Sequence, residues 1–313
     1  MSSAQSSSSH STSTLRALSS QLAEAVAVAS NSTVAIHARR RIPSSGIVWR
    51  SGVIVSASHT VRHSDEISVT LPNGTSTPAT IVGRDPATDL IALRLDAGAE
   101  ADVAVRAEPG AGRVGSLVLA VGRPGRQATA SFGIVSAVTE GWRTWQGTRV
   151  DKVLRLDLAI YDGFSGGPLV DASGAVLGLN NSALARGAPM ALPAAAVDRV
   201  LDELLEHGHV HRPFIGVAVQ PVALSTALVD RHQLAHDAAL LILTVAEGSP
   251  SERAGFLVGD ALVAANGQPL RHPTDLLDAL SKVRAGTSLE LKFLRGGGVQ
   301  SAAVIPADRG GAE

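Results

Sequence analysis

The chain has 313 residues, and its 27 Lys and Arg nearly balance its 28 Asp and Glu, for a formal net charge of -1. Hydrophobic residues make up 45% and charged residues 18%, which is a globular composition, and the length suits a larger domain followed by a smaller one. A near-neutral chain without a long basic run is not expected to bind nucleic acid. The absence of cysteine excludes disulfides, thiolate metal ligands and a thiol nucleophile.

The first fourteen residues are rich in serine and lack the basic and apolar regions of a secretory signal. We expect residues 1–14 to be a disordered tail. No stretch reaches the roughly 18 consecutive apolar residues that a membrane-spanning helix needs, so no integral membrane span is expected. The protein is therefore expected to be cytoplasmic by default, and periplasmic or otherwise extracytoplasmic if a start codon upstream of this sequence was missed.

After the tail, Leu15, Leu18, Leu22 and Val26 recur at three- and four-residue spacing. This spacing predicts a short helix with one apolar face, which Thr14 would cap. The helix leads into a long region of short apolar runs.

From this helix to about residue 185, short runs with period-two alternation are separated by glycine-rich turns, which predicts half-buried strands. Asn73-Gly74 lies between two of these runs and predicts a hairpin, because both residues tolerate positive φ. Many short strands with little helical periodicity favour a sandwich or barrel over a doubly wound sheet. The clearest runs are Val34 and Ile36; Ile67, Val69 and Leu71; Ile91, Leu93 and Leu95.

A second helical pattern, which Gly208 would end, marks the predicted junction between domains at residues 206 and 207. His207, His209 and His211 follow at two-residue spacing. Because no carboxylate or further histidine stands at ligand spacing, we expect an exposed polar linker here and no metal site. No cofactor is expected. The apolar face of the helix consists of Val197, Val200, Leu201, Leu204 and Leu205.

Ser165 lies in the segment Asp162-Gly163-Phe164-Ser165-Gly166-Gly167-Pro168-Leu169. Its three glycines remove side chains from the space around one hydroxyl, so a substrate backbone could approach closely. Such a loop also allows the N–H groups of Gly163 and Ser165 to point to one spot, as an oxyanion hole requires. The segment predicts a nucleophilic serine.

A serine hydroxyl needs a base and a group that orients the base. His59 directly follows an apolar run, and Asp89 directly precedes the alternating run at Ile91. The order His59, Asp89, Ser165, each at the edge of a strand, fits a chymotrypsin-type triad. In this prediction Ser165 attacks a peptide carbonyl, His59 transfers the proton and Asp89 orients the imidazole.

The same serine segment also satisfies G-x-S-x-G, the nucleophile elbow of α/β-hydrolases. That elbow requires a strand-to-helix turn, with Asp and His after the serine. Here residues 168–170 lead to a turn at residues 171–174 and to another predicted strand, so the sequence disfavours this alternative.

Three segments, residues 45–61, 88–90 and 163–169, resemble the motif blocks of HtrA/Deg serine proteases. The resemblance implies a mainly β chain with a chymotrypsin-like double β-barrel at residues 15–206 and a small α+β PDZ domain at residues 207–308. It also implies a serine endopeptidase of unfolded or damaged proteins that acts in protein quality control, and a homotrimer. The substrate-binding residues that it implies are Leu179, Asn180, Asn181 and Ser182.

Within the second domain, Phe214, Ile215, Gly216 and Val217 resemble the loop of a Deg-type PDZ domain that binds the C-terminal carboxylate of a peptide. Later predicted elements agree with a PDZ domain: a strand at residues 240–245, a short helix near residue 252 and an amphipathic helix at residues 275–283. C-terminal peptides are therefore expected to add there as an extra strand.

The alternative is a catalytically latent or inactive peptide-binding protein that keeps the protease fold and acts like a chaperone. Its mark would be a collapsed oxyanion loop between Tyr161 and Phe164. A scaffold that uses only its PDZ domain is a weaker alternative, because it gives no reason for the three catalytic segments.

Overall fold

The computed structural model describes residues 5–39, 42–62, 67–143, 149–185, 188–283 and 286–308. They divide into two compact units, with the boundary between Val210 and His211, whereas the junction was predicted at residues 206 and 207. The first unit contains two β-barrels and the second a small α+β fold, so the predicted fold class is confirmed.

The first barrel closes in the strand order β1-β2-β3-β6-β5-β4. The second closes in the order β10-β11-β12-β9-β8-β7. In the part of the chain that the structure describes, the first barrel consists of β1 (Thr33–His37), β2 (Ser44–Arg50), β3 (Val53–Ala57), β4 (Ile67–Thr70), β5 (Ser76–Asp85) and β6 (Leu90–Leu95), and the second of β7 (Leu117–Gly122), β8 (Thr129–Arg143), β9 (Arg149–Asp157), β10 (Pro168–Val170), β11 (Val176–Asn181) and β12 (Met190–Pro193).

Strand β6 is buried on both faces, so the prediction of a half-buried strand is wrong for it. Ile91 and Leu93 belong to the core inside the first barrel. Leu90 and Ala92 point the other way and belong to a central core that also contains residues of the second barrel. The second barrel covers the face of β6 that an isolated barrel would expose to water. Apolar residues therefore occupy both faces of β6.

The predicted hairpin is present between β4 and β5, which pair antiparallel up to Thr70 and Ser76. The Gly74 amide donates a hydrogen bond to the Leu71 carbonyl at 2.9 Å. Of the two turn residues, only Gly74 takes a positive φ, at 88°. The glycine alone therefore meets the steric demand of this turn.

The first helix, α1, spans Gln5–Ser30 and thus begins nine residues before the cap predicted at Thr14. The expectation of a disordered tail at residues 1–14 is wrong from residue 5 onward, and residues 1–4 lie outside the described part of the chain. Adding a residue to an existing helix gains a hydrogen bond, while Ser costs at most about 0.7 kcal/mol relative to Ala. Packing of Ala25 and Ala29 against the central core anchors the helix.

Helix α2 (Ala194–His207) closes the first unit and buries the predicted apolar face against the central core. It ends where expected, because Gly208 takes a left-handed conformation and its amide donates to the Leu204 carbonyl at 2.9 Å. The fully buried Trp49 of β2 donates from Nε1 to Asp198 Oδ1 of this helix at 2.7 Å. The helix is thus fixed to the first barrel by both apolar and polar contacts.

The second unit is built on a sheet with the strand order β14-β15-β16-β18-β19, in which β14 is an edge strand within the described residues. β17 adds to this sheet by pairing with β16, while β13 and β20 pair with each other in a separate two-stranded sheet. The strands of the second unit are β13 (Pro213–Phe214), β14 (Val217–Ala223), β15 (Ala238–Val245), β16 (Ala261–Ala265), β17 (Gln268–Pro269), β18 (Leu289–Arg295), β19 (Gly298–Val304) and β20 (Ala307–Asp308). Its helices are α3 (Thr226–His232), α4 (Pro250–Arg253) and α5 (Pro273–Ser281).

A buried carboxylate ties two strands of this unit together. Asp260 is 1% exposed and accepts hydrogen bonds from Arg295 Nε at 2.7 Å and Nη2 at 2.6 Å, and from the Leu257 amide at 2.8 Å. Burial alone would raise the pKa of Asp260, but these hydrogen bonds and the charge of Arg295 outweigh it and lower the pKa. The carboxylate therefore stays ionised in the folded unit.

We expect Leu201→Ala to lower the free energy of unfolding by about 2–5 kcal/mol, because Leu201 is fully buried in the central core and its truncation leaves a cavity. Leu205 lies on the same helix but is only partly buried, so Leu205→Ala is the matched control and should cost less. Chemical denaturation of both variants measures the difference. Equal losses would contradict the position of Leu201 in the central core.

Candidate active site

The antiparallel pairing of β3 with β6 brings His59 and Asp89 together. Ala57, the last residue of β3, lies opposite Leu90, the first residue of β6. His59 stands in the short 3-10 turn Ser58–Thr60 directly after β3, and Asp89 stands directly before β6. Two positions 30 residues apart in sequence are thereby neighbours at one edge of the first barrel.

Asp89 adopts a left-handed backbone conformation with φ of 55°, which few residues other than glycine, Asn and Asp tolerate. In this conformation its carbonyl accepts from the Ser58 amide at 2.8 Å, and Oδ1 accepts from the His59 amide at 2.8 Å. Oδ2 lies 2.5 Å from His59 Nδ1. The carboxylate therefore fixes both the backbone and the ring of His59.

The contact with Asp89 assigns the proton of the neutral imidazole to Nδ1, which leaves the lone pair of His59 on Nε2. A histidine in this tautomer can accept a proton at Nε2. The side chain of His59 is 35% exposed and that of Asp89 only 14%, so the base faces the solvent and its orienting group is covered.

Asn181 is a third member of this group, and the sequence analysis did not predict its contact with Asp89. Its Nδ2 donates to Asp89 Oδ2 at 2.8 Å, and its Oδ1 accepts from the amides of Ala183 and Leu184 at 2.8 and 3.1 Å. Asn181 belongs to the second barrel, so it links the carboxylate of the first barrel to the second. No local sequence signal marked this contact, since the partners are 92 residues apart.

The loop that contains Ser165 depends on glycines at two positions. Gly163 and Gly166 both take φ of 90°, where a side chain is strained. A Cβ at Gly166 would lie 2.2 Å from Ser56 Oγ, and one at Gly163 would lie 2.6 Å from Pro124. The first barrel therefore packs directly against the loop backbone at Gly166, and the segment after β7 of the second barrel does so at Gly163.

Within the described part of the chain, the amides of Gly163 and Ser165 donate no hydrogen bond. The intervening Phe164 amide, by contrast, donates to the Tyr161 carbonyl at 3.0 Å, and the Gly166 amide donates to the Asn180 carbonyl at 2.8 Å. The two amides that were predicted to form an oxyanion hole are thus the ones that the loop leaves unbonded. A buried amide needs an acceptor, which a substrate oxyanion would supply.

Ser45 holds this loop in place, and the sequence analysis gave it no individual role. Its buried Oγ donates to the Gly163 carbonyl at 2.6 Å and accepts from the Arg123 amide at 2.7 Å. Its own amide donates to the Ser165 carbonyl at 3.4 Å. One residue of β2 therefore binds the carbonyl groups on both sides of Phe164.

Phe164 is buried and packs on the bare backbone of Gly122, where an added Cβ would lie 2.8 Å from its ring. The Tyr161 ring meets the Phe164 ring edge-on at 5.5 Å between centroids and remains 60% exposed. The aromatic ring before the serine therefore anchors the loop to the second barrel.

Among the described residues, the Ser165 side chain forms no hydrogen bond with His59. Its Oγ lies 2.9 Å from Ser182 Oγ and accepts from the Ser182 amide at 3.4 Å. Ser165 itself is 6% exposed. In this state the hydroxyl and the base are neighbouring groups without a direct hydrogen bond.

Three of the four predicted substrate-binding residues have buried side chains, and their role in binding substrate stays a prediction. Leu179, Asn180 and Asn181 are fully buried, and their backbones pair with β12. Leu179 packs in the central core, while Asn180 Nδ2 donates to the Pro168 carbonyl at 2.8 Å. Ser182, which follows the strand, is the one of the four predicted residues whose side chain is exposed.

The predicted carboxylate loop of the second unit lies between β13 and β14. Gly216 takes φ of 84°, and a Cβ there would lie 2.2 Å from Ser249 Cβ. Within the described residues the amides of Ile215 and Gly216 donate no hydrogen bond, whereas Val217 pairs with Val245 and Phe214 pairs with Ala307. Two unbonded amides therefore stand beside the edge strand β14.

A carboxylate lies beside the predicted histidine linker, although none stands at ligand spacing in its sequence. His211 Nδ1 contacts Asp308 Oδ2, and the Arg212 amide donates to Asp308 Oδ1 at 3.0 Å. The carboxylate comes from 97 residues further along the chain, so spacing within the histidine segment could not reveal it.

Comparison with known families supports the two-part architecture. Residues 44–179 match the trypsin-like peptidase domain, and residues 241–295 match the PDZ domain. Ser165 is followed by the strand β10 and not by a helix, which rules out the nucleophile elbow of an α/β-hydrolase.

Curated relatives extend the match over most of the chain. A probable periplasmic serine endoprotease, DegP-like, of Chlamydia trachomatis is 33% identical over 257 residues, which is 80% of this chain and 51% of that protein. A protein of the same description in Rhizobium meliloti is 34% identical over 266 residues, which is 83% of this chain and 52% of that protein. The chain thus spans about half the length of these curated relatives.

Solved structures match over almost their whole length. The serine endoprotease from Yersinia pestis is 26% identical with a TM-score of 0.73, over 92% of this chain and 97% of that one. The HtrA-type protease AlgW, solved with a decapeptide, is 25% identical with a TM-score of 0.73, and the match covers 92% of this chain and 98% of AlgW.

Among the described residues, no helix has the length and apolar character to cross a membrane. The default expectation of a cytoplasmic protein finds no support in the curated relatives, whose names describe them as periplasmic. These matches, together with the double barrel and the unit that follows it, show that the chain has a trypsin-like peptidase domain followed by a PDZ domain and is similar to the HtrA-type, DegP-like serine proteases.

Proposed function

We propose that this chain is a serine endopeptidase whose nucleophile is Ser165, with His59 as general base and Asp89 as the group that orients the base. The observation on which the proposal depends is the fixed pair of His59 Nδ1 and Asp89 Oδ2, 2.5 Å apart, next to a loop with unbonded amides. A base held in one tautomer and two free donors are the groups that acyl transfer requires.

In the proposed reaction, substrate binding brings Ser165 Oγ to His59 Nε2, and Oγ attacks the peptide carbonyl carbon as its proton passes to His59. The carbonyl oxygen becomes an oxyanion that accepts from the amides of Gly163 and Ser165. His59 then gives the proton to the leaving amine as the C–N bond breaks. A water molecule, with His59 again as the base, then attacks the acyl-enzyme in the same way and releases Ser165. Asp89 stabilises the imidazolium in both halves of the reaction.

The proposed substrates are unfolded or damaged proteins, and the proposed role is protein quality control. Support comes from the names of the relatives, which are DegP-like endoproteases, and from the PDZ domain, which suits extended peptides. Since those relatives are named as periplasmic, we propose an extracytoplasmic location for this protein as well. The homotrimer that the resemblance implies stays a prediction.

A peptide would bind the second unit by adding as a strand beside β14, with its terminal carboxylate at the amides of Ile215 and Gly216. AlgW solved with a decapeptide is a relative with a bound peptide. Main-chain hydrogen bonds from β14 would supply affinity, and pockets along α5 would supply selectivity.

The alternative of a latent or inactive protein is less favoured. Its expected mark was a collapsed oxyanion loop between Tyr161 and Phe164. The amides of Gly163 and Ser165 are free of internal acceptors in the described residues, and Ser45 holds the Gly163 carbonyl. An open pair of donors favours catalysis over a collapsed loop.

We expect the wild-type chain to hydrolyse casein and Ser165→Ala to lose this activity by roughly 10⁵-fold, to the limit of detection, because the nucleophile is absent. A hydrophobic C-terminal peptide is included to occupy the PDZ domain. Ser76→Ala is the matched control, since the Ser76 hydroxyl bonds the Ser68 hydroxyl on the surface of the first barrel. Cleavage by Ser165→Ala at the wild-type rate would contradict the proposal, and cleavage by neither protein would favour the latent alternative.

We expect a labelled peptide with a free hydrophobic C-terminus to bind full-length Ser165→Ala at least about tenfold more tightly than its C-terminal amide, because a carboxylate gains charge-assisted hydrogen bonds. Fluorescence anisotropy measures both affinities. Gly216→Ala should weaken binding of the free acid, since φ is positive and the added Cβ meets Ser249. Gly248→Ala, also at positive φ but in open space, is the control. Equal affinity for the acid and the amide would contradict a carboxylate site.

A further inference from the structure

The hydroxyl of Ser165 is bonded to a residue that has no part in the proposed triad. Ser165 Oγ lies 2.9 Å from Ser182 Oγ and 3.4 Å from the Ser182 amide. Within the described residues these are its hydrogen bonds, and His59 has its own with Asp89. The nucleophile thus has two polar contacts, and both come from one residue.

Ser182 is well placed to respond to substrate. It directly follows Asn181, the last residue of β11, whose side chain donates to Asp89. Unlike Asn181, Ser182 is exposed to solvent. A peptide that lies along the end of β11 would therefore meet the Ser182 side chain before it reaches Ser165.

A serine hydroxyl has one proton, and it cannot donate that proton to Ser182 and to His59 at the same time. Either hydroxyl can be the donor in the Ser165–Ser182 pair. When Ser165 donates, its proton is not aligned for transfer to Nε2, and when Ser182 donates, it uses a lone pair of Ser165 Oγ. The second contact, from the Ser182 amide, uses a lone pair of Ser165 Oγ and further restrains the oxygen that must attack.

We propose that Ser182 is a positioning residue that holds the Ser165 hydroxyl away from His59 in the free enzyme, and that bound substrate releases it by taking over the contacts of Ser182. The inference depends on the proposed function. It explains how this chain can keep a complete catalytic group and yet have an unreactive nucleophile until a peptide binds.

The restraint of Ser165 by Ser182 can be measured apart from substrate binding. The probe is a small reagent that acylates or phosphorylates serine and does not lie along β11. With diisopropyl fluorophosphate, the Ser165 Oγ–P bond forms, the P–F bond breaks, fluoride leaves and the proton passes to His59. The rate of this reaction measures how often the free hydroxyl reaches His59.

We expect Ser182→Ala to raise the second-order rate constant of this inactivation by roughly 2- to 12-fold, the effect of losing one neutral hydrogen bond. Ser182→Thr retains a hydroxyl and should restore the slow wild-type rate. In peptide hydrolysis the gain should fall on kcat/KM, with kcat nearly unchanged, because substrate has already released the contact in the bound complex.

Ser76→Ala is the matched control, because it breaks another serine–serine hydrogen bond, of 2.8 Å, on the first barrel and should leave the inactivation rate unchanged. A merely structural defect at Ser182 would lower reactivity, whereas the proposal requires a gain. Thermal unfolding of each variant verifies that it is folded.

An inactivation rate of Ser182→Ala equal to or below that of wild type, with wild type modified at Ser165, would overturn the role of Ser182 alone. Reaction of neither protein at Ser165 would overturn the proposed function together with this inference. Modification of Ser182→Ala where wild type reacts slowly or not at all would support it.

Discussion

The antiparallel pairing of β3 with β6 is the constraint on which the site depends. It places the turn after one strand next to the turn before the other, so His59 and Asp89 meet although 30 residues separate them. Asp89 completes this arrangement with a left-handed backbone, which turns its carbonyl toward the Ser58 amide and both carboxylate oxygens toward His59. Since this pairing lies inside a closed barrel, a shift in its register would disturb every other strand.

The second barrel contributes Ser165, the proposed nucleophile, and polar contacts between the barrels set its position relative to His59, the proposed base. Ser45 of the first barrel binds the carbonyl groups of Gly163 and Ser165, and Asn181 of the second barrel donates to Asp89. Each barrel thus holds the functional group of the other. The central core, shared by both barrels and by α2, packs the two barrels against each other.

Much of this arrangement could be predicted because it leaves local marks in the sequence. The apolar alternation indicated strands, Gly208 indicated the end of α2, and the glycines around Ser165 indicated a loop that a backbone can approach. Contacts between distant segments leave no such mark, which is why the roles of Asn181 and Ser45 and the pairing of His211 with Asp308 were not foreseen. The buried state of Leu179 and Asn180 was missed for the same reason, since burial depends on which strands lie on either side.

The start of α1 was also mispredicted, because serine-rich composition suggested disorder while cooperative extension of an anchored helix favours order. The preference of Ser165 for Ser182 could not be read from the sequence either. His59, the partner that the triad implies, lies in the other barrel, whereas Ser182 directly follows β11 of the same barrel.

The central claim is that acyl transfer takes place at Ser165 with His59 as the base, and trapping the acyl-enzyme tests it most directly. The chain is mixed with a peptide p-nitrophenyl ester, quenched in acid during turnover, digested and analysed by mass spectrometry. The account predicts the mass of the acyl group on the fragment that contains Ser165 in the wild type, and none on that fragment in His59→Ala. An acyl group on a different residue, or steady hydrolysis of the ester with Ser165 never modified, would contradict it.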